Sequence, residues 1–138
     1  TLIGGTASMH NAYWGGDERD RLPCHVNWGV GIYPAYALTD GSNEHNTTRG
    51  NDDSAVLVPE FSFDKQTAPM LFVHGDSDGW AAMNSVKTWE KMRAIGVQCE
   101  LHTLALRDHC FQRSAAPGTG SYTYLERIVE FLKDMKVL

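Results

Sequence analysis

Residues 69–111 open with P-M-L-F-V-H-G-D-S-D (69–78) and close with R-D-H-C-F (107–111). The apolar run enters a tight polar turn at Gly75, and that turn puts Asp78 just past the end of a predicted strand. His109 follows Asp78 by 31 positions. Between them lie one helix-length and one strand-length segment. If strand, helix and strand form a parallel crossover, both residues fall at the carboxyl edge of the sheet, where open α/β sheets bind ligands. A carboxylate orienting an imidazole is two thirds of a hydrolytic triad. The bland alternative is a loop aspartate and a surface histidine of any α/β protein. Order, spacing and element types agree on the hydrolytic reading.

The elements around this stretch follow from periodicity. Met83, Val86, Trp89, Met92 and Ile95 form a drifting apolar stripe. It predicts a helix over 83–95 with its core face on the sheet and Gly96 as C-cap. Residues 97–106 read as the next strand. Residues 121–135 read as the last helix, with Leu125, Ile128, Val129, Leu132 and Met135 as its buried face and Thr123 with Glu126 as a capping box. Upstream, 26–33 is an apolar strand closed by Pro34, and 17–23 is a charged connector. Residues 8–14 read as a short helix ended by Gly15-Gly16, and 1–4 as a short strand. Residues 39–54 carry Gly, Asn, Asp and Thr and read as a surface loop. Asn46-Thr47-Thr48 matches a glycosylation acceptor, a triplet common by chance.

Composition narrows the function classes. An apolar share of 42% and four Trp in 138 residues describe one globular domain able to bury a core. Seventeen acidic against 12 basic residues give a net charge of −5, which argues against nucleic acid or an anionic membrane as partner. No apolar run reaches the ~18 residues of a membrane span. Three cysteines, Cys24, Cys99 and Cys110, cannot all pair internally and lack C-x-x-C spacing. Read as reduced thiols, they point to the cytoplasm. Six histidines are scattered, with no helical i, i+4 pair bracketing a carboxylate, so no metal site is expected. His74 is expected to hydrogen-bond beneath the acid turn. Trp80 either lines a substrate pocket or caps the sheet edge.

H-G-D-S-D (74–78) and D-H-C-F (108–111) resemble the turn and loop that carry the acid and the histidine in the α/β-hydrolase fold. The small esterases of the carboxylesterase, acetyl xylan esterase and dienelactone-hydrolase-like group are the nearest match. W-G-V-G-I-Y-P-A-Y (28–36) is similar to the strand and turn after that family's nucleophile helix. The resemblance implies an α/β protein, a partial α/β-hydrolase fold with a small, mostly parallel sheet flanked by helices, in one domain over 1–138. Asp78 takes the acid role and His109 the base role. The family's G-x-S-x-G elbow corresponds to Gly4-Gly5-Thr6-Ala7-Ser8, with His10 following. Thr6 then stands at the nucleophile position, and the amide of Ala7 is the oxyanion donor. A β-branched residue is a poor fit to that strained turn, and Ser8 adds atoms where a second Gly allows close strand–helix packing. Thr serves as nucleophile in other enzymes; the alternative is a non-catalytic terminal turn.

The implied activity is hydrolysis of a small carboxylic ester through an acyl-enzyme, with no cofactor. It is expected to be impaired by the Thr6 substitution and by a start only a few residues before the elbow. The competing expectation is a non-catalytic remnant acting as a binding or assembly module. An uncovered edge at residues 26–33 or 1–4 predicts a homodimer.

Overall fold

In the computed structural model the described residues are 26–39, 47–48, 54–59 and 61–138. The expectations placed on 1–4 and 8–14, and with them Thr6, Ala7 and Cys24, lie outside these residues. In chain order the strands are β1 (Gly29–Ile32), β2 (Leu38–Thr39), β3 (Thr47–Thr48), β4 (Val56–Leu57), β5 (Met70–Gly75) and β6 (Cys99–Leu104). The helices are α1 (Met83–Ala94) and α2 (Thr123–Asp134).

β5 has no polar alternation, and every one of its residues is buried. That pattern suits a central strand covered on both faces. It pairs in parallel with β1 on one side and β6 on the other, so that Val73 lies opposite both Ile32 and His102. Alternate side chains along a strand leave on opposite faces, and two cores result. Met70 and Phe72 pack with Met92, Val97, Trp89 and Ile95 on the α1 side. Leu71 and Val73 pack with Phe111, Phe131, Ile128 and Leu132 on the α2 side. The fold is α/β, with a small parallel sheet between helices, as expected.

α1 ends where Gly96 adopts φ +86. The Val97 N–H then donates to Met92 O at 3.1 Å and the Gly96 N–H to Arg93 O at 3.0 Å. These two bonds make a Schellman closure, and Met92 and Val97 share one core. α2 closes the same way with Lys136 at φ +57. There the Lys136 N–H donates to Lys133 O and the Val137 N–H to Leu132 O, each at 2.9 Å.

Four expectations need correction. Residues 39–54 are not wholly a surface loop. β2 pairs antiparallel with β3 and β4 in a second small sheet, and Leu38 and Thr39 are buried. The α1 stripe is only half of its buried face. Trp89, Met92 and Ile95 join the core, but Asn84, Ser85 and Thr88 are buried beside them. On α2, Leu125 and Val129 are exposed, while Phe131 is buried and Tyr124 packs with it. The capping box does not form: Tyr122 is the N-cap, and the Thr123 hydroxyl donates to Gly120 O at 2.8 Å.

β1 pairs only with β5 among the described residues. Beside it runs a groove of about 450 Å³ lined by Trp28, Val30, Ile32, Phe61, Met70 and Phe72. No helix among the described residues is long and apolar enough to cross a membrane.

Candidate active site

The β5–β6 ladder ends at Gly75 opposite Leu104. Past it, the two chains turn toward each other. The Asp76 N–H donates to Leu104 O and the Ser77 N–H to Arg107 O, each at 2.9 Å. A Cβ on Gly75 would stand 2.3 Å from Arg107 O and 2.9 Å from Asp108 O. Glycine is required here for space: only a residue without a side chain lets the acid turn and the histidine loop meet backbone to backbone.

This contact sets Asp78 against His109. His109 Nδ1 lies 2.8 Å from Asp78 Oδ2. A carboxylate oxygen accepts, so Nδ1 donates and the second ring nitrogen is left for other chemistry. The Asp78 side chain is fully buried, whereas 41% of the His109 side chain is exposed. The other carboxylate oxygen, Oδ1, accepts the Trp80 N–H at 2.8 Å.

A second histidine supports the acid from below. His74 is buried, with Nε2 2.7 Å from Trp80 O and 3.3 Å from Asp78 Oδ2. Both neighbours are acceptors, so the proton sits on Nε2. Nδ1 then accepts the Ser85 hydroxyl at 2.8 Å. Burial lowers the His74 pKa from its ordinary 6.5 and keeps the ring neutral, in agreement with that tautomer. The polar start of α1 completes the frame. Asn84 Oδ1 accepts the Ala37 N–H, and its Nδ2 donates to Ala81 O, each at 3.0 Å. Thr88 donates to Asn84 O at 2.7 Å. These bonds tie the segment after β1 to the segment after the acid turn.

Two tyrosines just past β1 reach the same sheet edge. The Tyr33 ring lies 4.4 Å from that of His109, tilted by 58°. Its hydroxyl accepts from Gln112 Nε2, and burial is the main cause of its raised phenol pKa. The Tyr36 ring packs against that of Trp80 at 4.2 Å, tilted by 48°. Trp80 therefore anchors Asp78 through its main chain and pairs with an aromatic through its ring. Cys110, next to His109, is half-buried with φ +64.

The structure thus brings together Asp78, His109, Trp80 and His74 as read from the sequence. Thr6 and Ala7 lie outside the described residues. Sequence reasoning misses Tyr33, Tyr36, Asn84 and Ser85. W-G-V-G-I-Y-P-A-Y could have pointed to the tyrosines, since a third parallel strand must also end at the carboxyl edge. No cluster of three metal-ligating side chains occurs among the described residues.

Solved structures share this arrangement of strands and helices. A thermophilic esterase from Thermogutta terrifontis in a butyrate-bound form superposes with TM-score 0.66 at 18% identity, over 91% of this chain and 50% of that one. An acetyl ester-xyloside bifunctional hydrolase from Caldicellulosiruptor lactoaceticus gives 0.67 at 15% identity, over 98% and 50%. This chain carries part of the α/β-hydrolase fold. A carboxylesterase from Lactobacillus plantarum superposes with TM-score 0.59 at 17% identity, over 83% of this chain and 46% of that one. The chain spans about half the length of the structures it matches. No protein-family model and no curated protein sequence matches it.

Proposed function

We propose that this chain carries the acid–base half of an ester-hydrolysing site and acts on small carboxylic esters without a cofactor. The observation that supports it most is the 2.8 Å contact between the buried Asp78 carboxylate and the half-open His109 imidazole. Asp78 holds the tautomer of His109. A nucleophile oxygen, assigned to Thr6, attacks the ester carbonyl carbon, and its proton passes to His109. The tetrahedral oxyanion accepts the Ala7 N–H. Collapse breaks the bond to the alcohol, which leaves with the proton from His109. Water then attacks the acyl-enzyme, with His109 again taking and returning a proton. Trp80, with Tyr36, flanks the substrate.

Turnover is expected near background, because the β-branched Thr6 suits a strained elbow poorly. Losing one oxyanion donor alone lowers a rate ~10²–10³-fold. Hydrolysis of 4-nitrophenyl acetate tests the assignment. The double variant Thr6→Ser, Ser8→Gly should gain activity that disappears when His109→Ala is added. A double variant as inert as the parent would remove Thr6 from the nucleophile position.

A second reading, a non-catalytic self-associating module, is favoured by one observation: the apolar groove lined by β1, Met70 and Phe72, beside a strand that pairs on one side only among the described residues. An apolar strand edge invites pairing, and a twofold dimer is the simplest cover. Sedimentation at micromolar concentration should give about twice the 15.3 kDa of one chain. A clean monomer would dismiss this reading.

A further inference from the structure

We infer that Tyr33 is a positioning residue for His109, holding the imidazole ring in the plane that presents Nδ1 to Asp78. The inference rests on reading His109 as the base of the site. A single hydrogen bond fixes one atom of a ring but leaves it free to pivot about the Nδ1···Oδ2 line. His109 has 41% of its side chain exposed, so solvent does not resist that pivot. The Tyr33 ring does, from 4.4 Å away.

Tyr33 can do this because it is held from three directions. Its N–H donates to Val73 O at 2.7 Å, extending the β1–β5 ladder by one residue. Its hydroxyl accepts from Gln112. Its ring meets the buried Phe111 ring edge-on, at 5.7 Å and 84°. Phe111 in turn packs edge-on to Tyr124 of α2, at 5.5 Å. The Tyr33 backbone has φ +39, a region that residues with a side chain leave unless surrounding structure holds them there. Strain retained one residue past a strand end, under an imidazole, points to a placed side chain. The aromatic ring also lies 4.4 Å from the imidazolium that forms when His109 takes a proton, within the range of a favourable cation–aromatic pairing.

The test reads His109 directly and needs no turnover. In the ¹⁵N-labelled full chain, the Nδ1–H proton of His109 is recorded by NMR and identified by its loss in His109→Gln and Asp78→Asn. Tyr33→Phe, which keeps the ring, should retain the resonance. Tyr33→Leu should lose it to solvent exchange while the backbone amide spectrum stays folded. A merely structural role would lower the melting temperature and leave the resonance of the folded protein intact. If Tyr33→Leu does not fold, Tyr33→Met, unbranched and of similar reach, gives the same comparison. A folded aliphatic variant with the resonance unchanged overturns the inference. Loss of the resonance, with the Thr6→Ser, Ser8→Gly chain still hydrolysing no ester, supports the positioning role and counts against the ester reading. An intact resonance with His109-dependent hydrolysis does the reverse.

Discussion

Gly75→Ala asks how tightly the acid and base loops are joined. The added Cβ would lie 2.3 Å from Arg107 O, where ordinary contact begins at 3.4 Å. The obstacle is backbone, so no rotamer relieves it, and the histidine loop must withdraw by about 1 Å. Overpacking of this kind costs ~1–3 kcal/mol. The Ser77–Arg107 hydrogen bond is lost with it, for ~1 kcal/mol more. The expected loss is therefore ~2–4 kcal/mol, or about 10 °C in melting temperature for a domain of this size. The same withdrawal would take the 2.8 Å Asp78–His109 contact past the ~3.2 Å limit of a good hydrogen bond. Urea denaturation and the His109 Nδ1–H resonance measure the two effects separately. A Gly75→Ala protein with the parent midpoint and an intact resonance would refute the backbone-contact argument.

Further outcomes follow from the helix ends and the buried polar frame. Gly96→Ala meets no atom within 4 Å, so only its left-handed φ is at stake, and it should destabilise by ~1 kcal/mol. Lys136→Gly relieves the same strain at the end of α2 and should stabilise by a similar ~1 kcal/mol; thermal melts of both check the sign. Ser85→Ala leaves buried His74 Nδ1 without its donor and should cost ~1–3 kcal/mol in urea denaturation. Stability should also fall with acid in two stages. His74 has its pKa lowered by burial, so the unfolded chain binds the extra proton first, and stability drops as pH falls below 6.5. Glu100 is pushed up by burial, but hydrogen bonds from Arg127 and His102 outweigh that and hold it below 4.5, so its contribution is lost only in stronger acid. His74→Gln should remove the first stage in a pH series of denaturation midpoints. A first stage that survives the change assigns it to another group.

Long, strongly patterned elements are legible in the amino-acid sequence alone. β5, α1, β6 and α2 follow from a continuous apolar run, a 3.6-residue stripe, alternation and a second stripe. H-G-D-S-D and D-H-C-F place Asp78 and His109 at one edge because parallel strands must end on the same side. What escapes detection does so for identifiable reasons. β2, β3 and β4 are pairs of residues, too short for any period, set among Gly, Asn and Asp that signal loops. On α2, two apolar stripes share Ile128, Leu132 and Met135, and the helix rotates to bury Phe131 and Tyr124 rather than Leu125 and Val129. Volume decides that rotation, and periodicity does not carry volume. The capping box fails because Thr123 is already inside the helix, one residue past the N-cap. Asn84 and Ser85 lie outside the apolar stripe, and nothing local marks them as buried, since their partners Ala37 and His74 are on other segments of the chain.

The junction between the acid turn and the histidine loop is written almost entirely in main-chain atoms. Leu104 O, Arg107 O and Asp108 O supply one side, and the amides of Asp76 and Ser77 with the bare Cα of Gly75 supply the other. The side chains of Asp76, Ser77, Arg107 and Asp108 supply none of these bonds. Those four positions can therefore drift during divergence while the path of the chain, and the meeting of Asp78 with His109, stays where it is. Kinship built this way fades from the letters of a sequence long before it fades from the shape.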